Sequence, residues 1–126
     1  MKNPKVLLVE DDAELVKLYG RAFQLEDITF VQVSSGEAAL DYLKKGERPD
    51  IMLLDISLPG IDGFEVLKQI KMIPLWAAIP VIIMSNFSRQ EDIEWGKKLG
   101  AKKFVEKVSL VSADVVDLVR TESAGG

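Results

Sequence analysis

Ile51-Met52-Leu53-Leu54-Asp55 is a run of four apolar residues stopped by a single acid. A run this short, apolar at every position, suits a central parallel strand covered on both faces. The form recurs on either side of it. Val6-Leu7-Leu8-Val9 runs into Glu10-Asp11-Asp12, and Val81-Ile82-Ile83-Met84 runs into Ser85. A shorter run, Phe104-Val105, leads through Glu106 to Lys107. Longer segments of helical period lie between the runs, which indicates α/β architecture with a parallel sheet. Thr29-Phe30-Val31-Gln32-Val33 alternates and Lys102-Lys103-Phe104-Val105-Glu106 is mixed, as edge strands are. Three central strands and two edges predict a doubly wound five-stranded parallel sheet in the order 2-1-3-4-5. We read one domain over residues 1–121, with 122–126 as a flexible tail or the start of a linker.

The helices are marked at their starts. Asp11-Asp12-Ala13-Glu14, Ser34-Ser35-Gly36-Glu37, Asp62-Gly63-Phe64-Glu65 and Ser88-Arg89-Gln90-Glu91 all have the form of a capping box. Leu15, Leu18, Tyr19, Ala22 and Phe23 fall on one face of the first helix, and Val111, Val115, Leu118 and Val119 on one face of the last. On the helix after the fourth strand, Ile93 and Leu99 mark the buried side, so Trp95 is expected to face outward as a possible output surface. Trp76 falls in the loop before the fourth strand.

Composition removes several kinds of chemistry. The 126 residues are 48% hydrophobic, enough for a single core, and include neither Cys nor His. Disulfides, thiolate chemistry, Cys-ligated zinc, a Ser-His-Asp triad and a phosphohistidine within the chain are thereby excluded. The formal charge of −4 argues against sequence-independent nucleic-acid binding. No apolar run approaches the roughly 20 residues of a membrane span, and the N-terminus carries no signal-peptide pattern. A cytoplasmic protein is expected, with neither membrane nor nucleic acid as a direct partner.

What remains is carboxylate, hydroxyl, lysine and hard-metal chemistry, and it collects at the strand ends. In an open α/β sheet, ligands bind beyond the carboxyl ends of the strands, where strand order reverses. That point lies between the strand ending at Val9 and the one ending at Leu54, so Glu10, Asp11 and Asp55 should meet there. Carboxylates so close repel one another and invite a divalent cation; Mg²⁺ suits an all-oxygen site that keeps several waters. A carboxylate beside such an ion can attack phosphorus, while Ser85 donates to a phosphoryl oxygen and Lys107 pairs with its charge. Taken singly, each residue admits a plainer reading. Asp11 or Asp12 would cap the first helix, Asp55 would be a loop acid before Pro59-Gly60, Ser85 a turn hydroxyl and Lys107 a surface lysine. Complementary groups at the ends of separate strands, all on one edge, favour the joint reading.

From about Lys5 to Arg120 the chain resembles the receiver domains of two-component response regulators, which have a flavodoxin-like (βα)5 fold. The resemblance is carried by Val6-Leu7-Leu8-Val9-Glu10-Asp11, Asp55-Ile56-Ser57-Leu58-Pro59-Gly60-Ile61-Asp62-Gly63, Pro80-Val81-Ile82-Ile83-Met84-Ser85, and Gly100-Ala101 followed by Phe104-Val105-Glu106-Lys107. It implies that Asp55 accepts a phosphoryl group from a sensor histidine kinase or a histidine phosphotransfer protein. It implies that Glu10, Asp11, Asp55 and the backbone carbonyl of Ser57 hold Mg²⁺. Ser85 matches the switch hydroxyl, Phe104 the aromatic switch and Lys107 the phosphate-pairing lysine. Readout would lie on the fourth helix, fifth strand and fifth helix. The effector is open, and the chain is expected to be a monomer or a phosphorylation-dependent dimer, a signalling module rather than an enzyme beyond self-catalysed phosphorylation and slow autodephosphorylation.

Three positions depart from the family pattern. Val108 stands where a proline, often cis, usually follows the lysine; a cis bond before a non-proline costs about 2.5–4 kcal/mol, so trans is expected. Asn86 follows the switch hydroxyl where a smaller residue is common, and Asn86 with Phe87 would narrow access to the site. The aromatic switch is Phe rather than the common Tyr, so its inward form gains packing but no hydroxyl hydrogen bond. Two other functions are weighed beside the receiver reading: a non-phosphorylated interaction module, and a Mg²⁺-dependent phosphatase with an aspartyl nucleophile. The second lacks the Asp-x-Asp that such enzymes often present, since Asp55-Ile56-Ser57 has no second acid.

Overall fold

The computed structural model describes residues 3–86, 89–107 and 110–123. In chain order the elements are β1 (Val6–Val9), α1 (Ala13–Leu25), β2 (Phe30–Val33), α2 (Gly36–Lys44), β3 (Ile51–Asp55), α3 (Gly63–Lys71), α4 (Pro74–Ala77), β4 (Val81–Ser85), α5 (Gln90–Lys98), β5 (Lys103–Glu106) and α6 (Ser112–Glu122). All strands are parallel, in the order β2-β1-β3-β4-β5. The short α4 raises the count, so the fourth and fifth helices expected from the sequence are α5 and α6.

The period-2 alternation of a strand sends neighbouring side chains to opposite faces, and two cores result. Leu7, Val9, Met52, Leu54, Val81 and Ile83 pack under α2, α3 and Trp76 of α4. Val6, Leu8, Ile51, Leu53, Ile82 and Met84 pack under α1 and α6, against Tyr19, Phe23, Val115 and Val119. Every residue of β1, β3 and β4 is buried, while β2 and β5 are only partly covered, as edge strands are.

Several local expectations are corrected. Leu18 is 46% exposed and Val111 58%, so neither belongs to the buried faces to which their spacing assigned them. Gly20 occupies the α1 face instead, where a Cβ would come within 2.8 Å of the Phe30 ring, and Val111 is the residue before α6 rather than part of it. The caps of α1 and α2 are Asp12 and Ser35, one residue later than the capping-box pattern placed them, whereas Asp62 caps α3 as expected. Arg89 precedes α5 without a side-chain cap, and Ser88 lies outside the described residues. The loop assigned to Trp76 is the helical turn α4, started by Pro74 at its first position. Helix α6 continues to Glu122 and Ser123 is buried, so neither belongs to the tail expected over 122–126.

Candidate functional site

The parallel ladder delivers its strands in register, so β1 and β3 end together. Val9 is paired with Leu54, and the next residue on each strand, Glu10 and Asp55, emerges at the carboxyl edge. Glu10 and Asp55 are both buried, at 0% and 2% exposure, while Asp11 faces solvent. Carboxylate oxygens of all three lie within 4.8 Å of one another. β4 adds Ser85, one rung beyond the residue paired with Asp55 and itself buried. Lys107 follows the end of β5 and sends its ammonium back between the buried acids, with Nζ 2.7 Å from Glu10 Oε1 and 2.9 Å from Asp55 Oδ2.

The acids are held from behind by backbone. Asp12 N–H donates to Glu10 Oε2 at 3.0 Å, and Ser57 N–H donates to Asp55 Oδ1 at 2.9 Å. The Asp12 carboxylate turns the other way and accepts from the Glu14 and Leu15 N–H groups. Of the two adjacent aspartates, Asp12 is therefore the helix cap and Asp11 is left to the pocket. Glu10 Oε1 is buried and faces the Lys107 ammonium at 2.7 Å.

Electrostatics follow from one cation among buried anions. Burial pushes the Glu10 carboxyl above the ordinary glutamate range, opposed by Lys107 and the Asp12 N–H. Burial is also the largest influence on Lys107 and acts to lower it, but Glu10 and Asp55 together outweigh it, and the ammonium stands above the usual lysine value. The asymmetry has a simple cause. The ammonium is stabilised by both carboxylates, whereas each carboxylate has only a share of the ammonium. The donor set is all oxygen, three carboxylates within 4.8 Å of one another, so the residues fit a hard divalent cation.

The remaining expected residues surround this cluster. Asn86 is exposed directly after Ser85; Phe87 and the bond before Val108 lie outside the described residues. Phe104 is half-buried and packs over Gly96, where a Cβ would come within 3.2 Å of the ring. Trp95 projects from α5 at 46% exposure, away from the site.

Four further residues shape the site. Gln32 on edge strand β2 donates through Nε2 to the Glu10 carbonyl at 2.9 Å, bracing the point where β1 turns toward α1. Glu37, at the start of α2, accepts from Ile61 N–H at 3.4 Å, and its carboxylate lies against Gly60, whose φ of +76° favours glycine. Gly63 lets α3 begin directly against β3: a Cβ there would come within 2.6 Å of the Ile56 Cα and 2.8 Å of the Asp55 carbonyl oxygen. Gly60 and Gly63 stand in the sequence as glycines of a turn motif and Glu37 as the acid of a capping-box pattern, but Gln32 could not have been told from other polar residues.

Comparison with known proteins agrees with this geometry. A family model described as the response regulator receiver domain matches residues 6–119. The chain is 41% identical over 101 residues to sporulation initiation phosphotransferase F of Bacillus subtilis (strain 168), covering 80% of this chain and 79% of that protein. Among solved structures it is similar to the phosphorylated cyanobacterial phytochrome response regulator RcpA, with a TM-score of 0.82 at 30% identity over 95% of this chain and 91% of that one. It is similar also to the Mn(2+)-bound form of response regulator Rcp1, with a TM-score of 0.80 at 28% identity over 94% and 90% of the two chains. The family match begins at the first residue of β1 and ends in the last turn of α6, taking in every element that builds the acidic pocket: this chain belongs to the response regulator receiver domain family of two-component systems.

Proposed function

We propose that this receiver is a phosphorylation switch in which Asp55 is the acceptor. The observation that carries the reading is the ammonium of Lys107, 2.9 Å from Asp55 Oδ2 and 2.7 Å from Glu10 Oε1, inside a cluster of three acids. A lysine so placed is a counter-charge for whatever anion occupies the pocket.

The donor is a phosphohistidine of a sensor kinase or phosphotransfer protein, since this chain has no His. The phosphorus–nitrogen bond of the donor breaks as a bond forms between phosphorus and a carboxylate oxygen of Asp55, and the electron pair leaves with the imidazole. In the free protein both Asp55 oxygens already accept a bond, one from Ser57 N–H and one from Lys107. Each oxygen keeps a further lone pair for attack on phosphorus, and the Lys107 ammonium then pairs with the phosphoryl oxygens, as does the Ser85 hydroxyl. Glu10, Asp11, Asp55 and the Ser57 carbonyl would hold Mg²⁺, which when bound neutralises charge on the phosphoryl group.

Once phosphorylated, Asp55 exchanges a single carboxylate charge for a dianionic group. The conformational equilibrium then moves by the difference in affinity of Ser85 and Lys107 for that group between two loop arrangements. Phe104, over Gly96, lies between this pocket and α5, and the face of α5, β5 and α6 is where the change is read.

The test is incubation with Mg²⁺ and a small phosphodonor, followed by intact-mass measurement. One phosphoryl group should be gained by the parent and none by Asp55→Asn, and EDTA should abolish the gain. Equal uptake by Asp55→Asn would overturn the acceptor assignment, and undiminished uptake in EDTA would overturn the metal requirement. No uptake by the parent would favour a non-phosphorylated interaction module.

A further inference from the structure

In α2, α3 and α5 charge is sorted along the axis of the sheet. Helices of a parallel α/β unit start at the carboxyl edge and end at the amino edge, and their macrodipoles favour acids at the start and bases at the end. Glu37, Glu65, Glu91 and Asp92 stand in first turns, and Lys44, Lys68, Lys71, Lys97 and Lys98 in last turns. Helix dipoles are reason enough for a basic amino edge. They do not account for what sits within it.

Between α3 and β4 the chain forms an apolar finger, Met72-Ile73-Pro74-Leu75, in which Met72 is 73% exposed, Ile73 38% and Leu75 70%. Its backbone is tied down. Trp76 and Ala77 N–H both donate to the Ile73 carbonyl at 2.9 Å, and Lys71 Nζ donates to the Ala77 carbonyl at 2.8 Å. Trp76 is buried, so the finger is anchored in the core by the residue next to its most exposed leucine.

The surroundings hold no acid from the nearby sequence: residues 66–90 and 95–105 contain neither Asp nor Glu. These two stretches meet in space. A Cβ on Gly100 would come within 3.0 Å of Lys71 Cε, and Lys102 N–H donates at 2.9 Å to the carbonyl of Val81, just beyond the finger's return into the sheet. Lys102 and Lys103 pair with Glu122, but Lys68, Lys97 and Lys98 have no carboxylate within ion-pair distance among the described residues.

We propose that this pole docks on an anionic lipid bilayer, with Met72, Ile73 and Leu75 entering the boundary between headgroups and acyl chains and Lys68, Lys97 and Lys98 over the headgroups. Apolar side chains on a projecting tip, ringed by unpaired ammonium groups, are complementary to a negatively charged surface with a hydrocarbon interior. A second copy of the chain is a poorer occupant. Its amino-edge acids Glu26, Glu47 and Glu122 are already paired with Arg120, Lys5, Lys102 and Lys103, its first-turn acids stand at the carboxyl edge, and stacking that edge on this one is head-to-tail and leads to an open filament. Among the described residues no helix is long and apolar enough to cross a membrane, but the contact proposed is peripheral and requires none. Asp55 lies at the opposite edge of the sheet, so a docked molecule would keep its acidic pocket turned to solvent. The proposal does not depend on Asp55 being phosphorylated.

Vesicle sedimentation of the full chain tests this, with phosphatidylcholine alone and with equal parts phosphatidylcholine and phosphatidylglycerol. The chain should partition onto the mixed vesicles about tenfold more strongly than onto the neutral ones. Binding should be lost in about 1 M salt, where the screening length falls to about 3 Å. Leu75→Glu and the double change Lys97→Glu, Lys98→Glu should each weaken binding about tenfold. All of these side chains are exposed, so both variants should still unfold cooperatively in urea, Leu75→Glu with an unchanged midpoint and the double variant with one lowered slightly by the acids now at the end of α5. Equal or absent binding to the two kinds of vesicle overturns the proposal, as does undiminished binding by either variant. Self-association that Leu75→Glu abolishes, without vesicle binding, also overturns it and assigns the finger to a second copy.

Discussion

Lys107 is the residue on which the pocket's stability turns. Its side chain is 9% exposed and compensates two carboxylates that are 0% and 3% exposed. Replacing it with Met keeps much of the stem and removes the charge, leaving two buried anions side by side. Removing one partner of a buried ionic group typically costs about 3–5 kcal/mol. Lys107→Met should therefore lower stability by that order in metal-free urea unfolding, and added divalent cation should recover more stability in the variant than in the parent. Tyr19 is the second residue with a measurable signature. Its hydroxyl donates to the Leu110 carbonyl at 3.2 Å, and burial, with the nearby Glu10 charge, pushes the phenol up to about 12. An unfolded tyrosine titrates near 10, so between those values the native state holds a proton that the unfolded chain has lost. The contribution is complete below about pH 10 and is lost as pH rises to about 12, at a cost of about 3 kcal/mol. Alkaline unfolding of Tyr19→Phe should lack this component, which urea midpoints measured across that window would show.

At the scale of the element, the contact that matters most is α3 against the end of β3. Gly63→Ala places a methyl group against backbone, the Ile56 Cα and the Asp55 carbonyl, which cannot rotate away. The helix must shift, and overpacking of this kind costs about 1–3 kcal/mol. We expect that loss of stability and, because the shift moves the Asp55–Ser57 turn, slower phosphoryl uptake than in the parent; an unchanged rate would show that the turn is positioned independently of α3. The same region shows what a sequence can disclose. Continuous apolar runs ended by Asp55, Glu10-Asp11 and Ser85 sufficed to locate three strands and their shared edge, because a parallel strand buried on both faces leaves little freedom in its composition. That Glu10, Asp11 and Asp55 meet at this edge was legible for the same reason, whereas Lys107 follows a mixed edge strand and could be placed only by its position just past the strand's end. Leu18 and Val111 were not, because helical spacing says which residues share a face but not how far a neighbouring element reaches across it. The four-residue α4 escaped because one turn has no periodicity to detect, and Gln32 because its role depends on the β1–β2 register and not on its neighbours in sequence.

For the molecule as a whole, the opposed end charges of α2, α3 and α5 and a divided core arise from one cause, the parallel arrangement of every strand. Each side of the sheet is sealed by different helices, α2 and α3 on one and α1 and α6 on the other, so neither core can be completed by a contiguous half of the chain. The consequence is kinetic. No strand finds its partner through a tight turn: Val6 must wait for Phe30 on one flank and for Ile51 on the other, and only then does β1 become interior. Closing such long loops precedes any reward from the contacts they make, and mixed α/β domains accordingly refold at rates between those of helical bundles and β-sandwiches. Stopped-flow refolding should show this intermediate speed. During synthesis the first strand leaves the ribosome with both its edges bare, and it stays a sticky ribbon until the residues that flank it have been made.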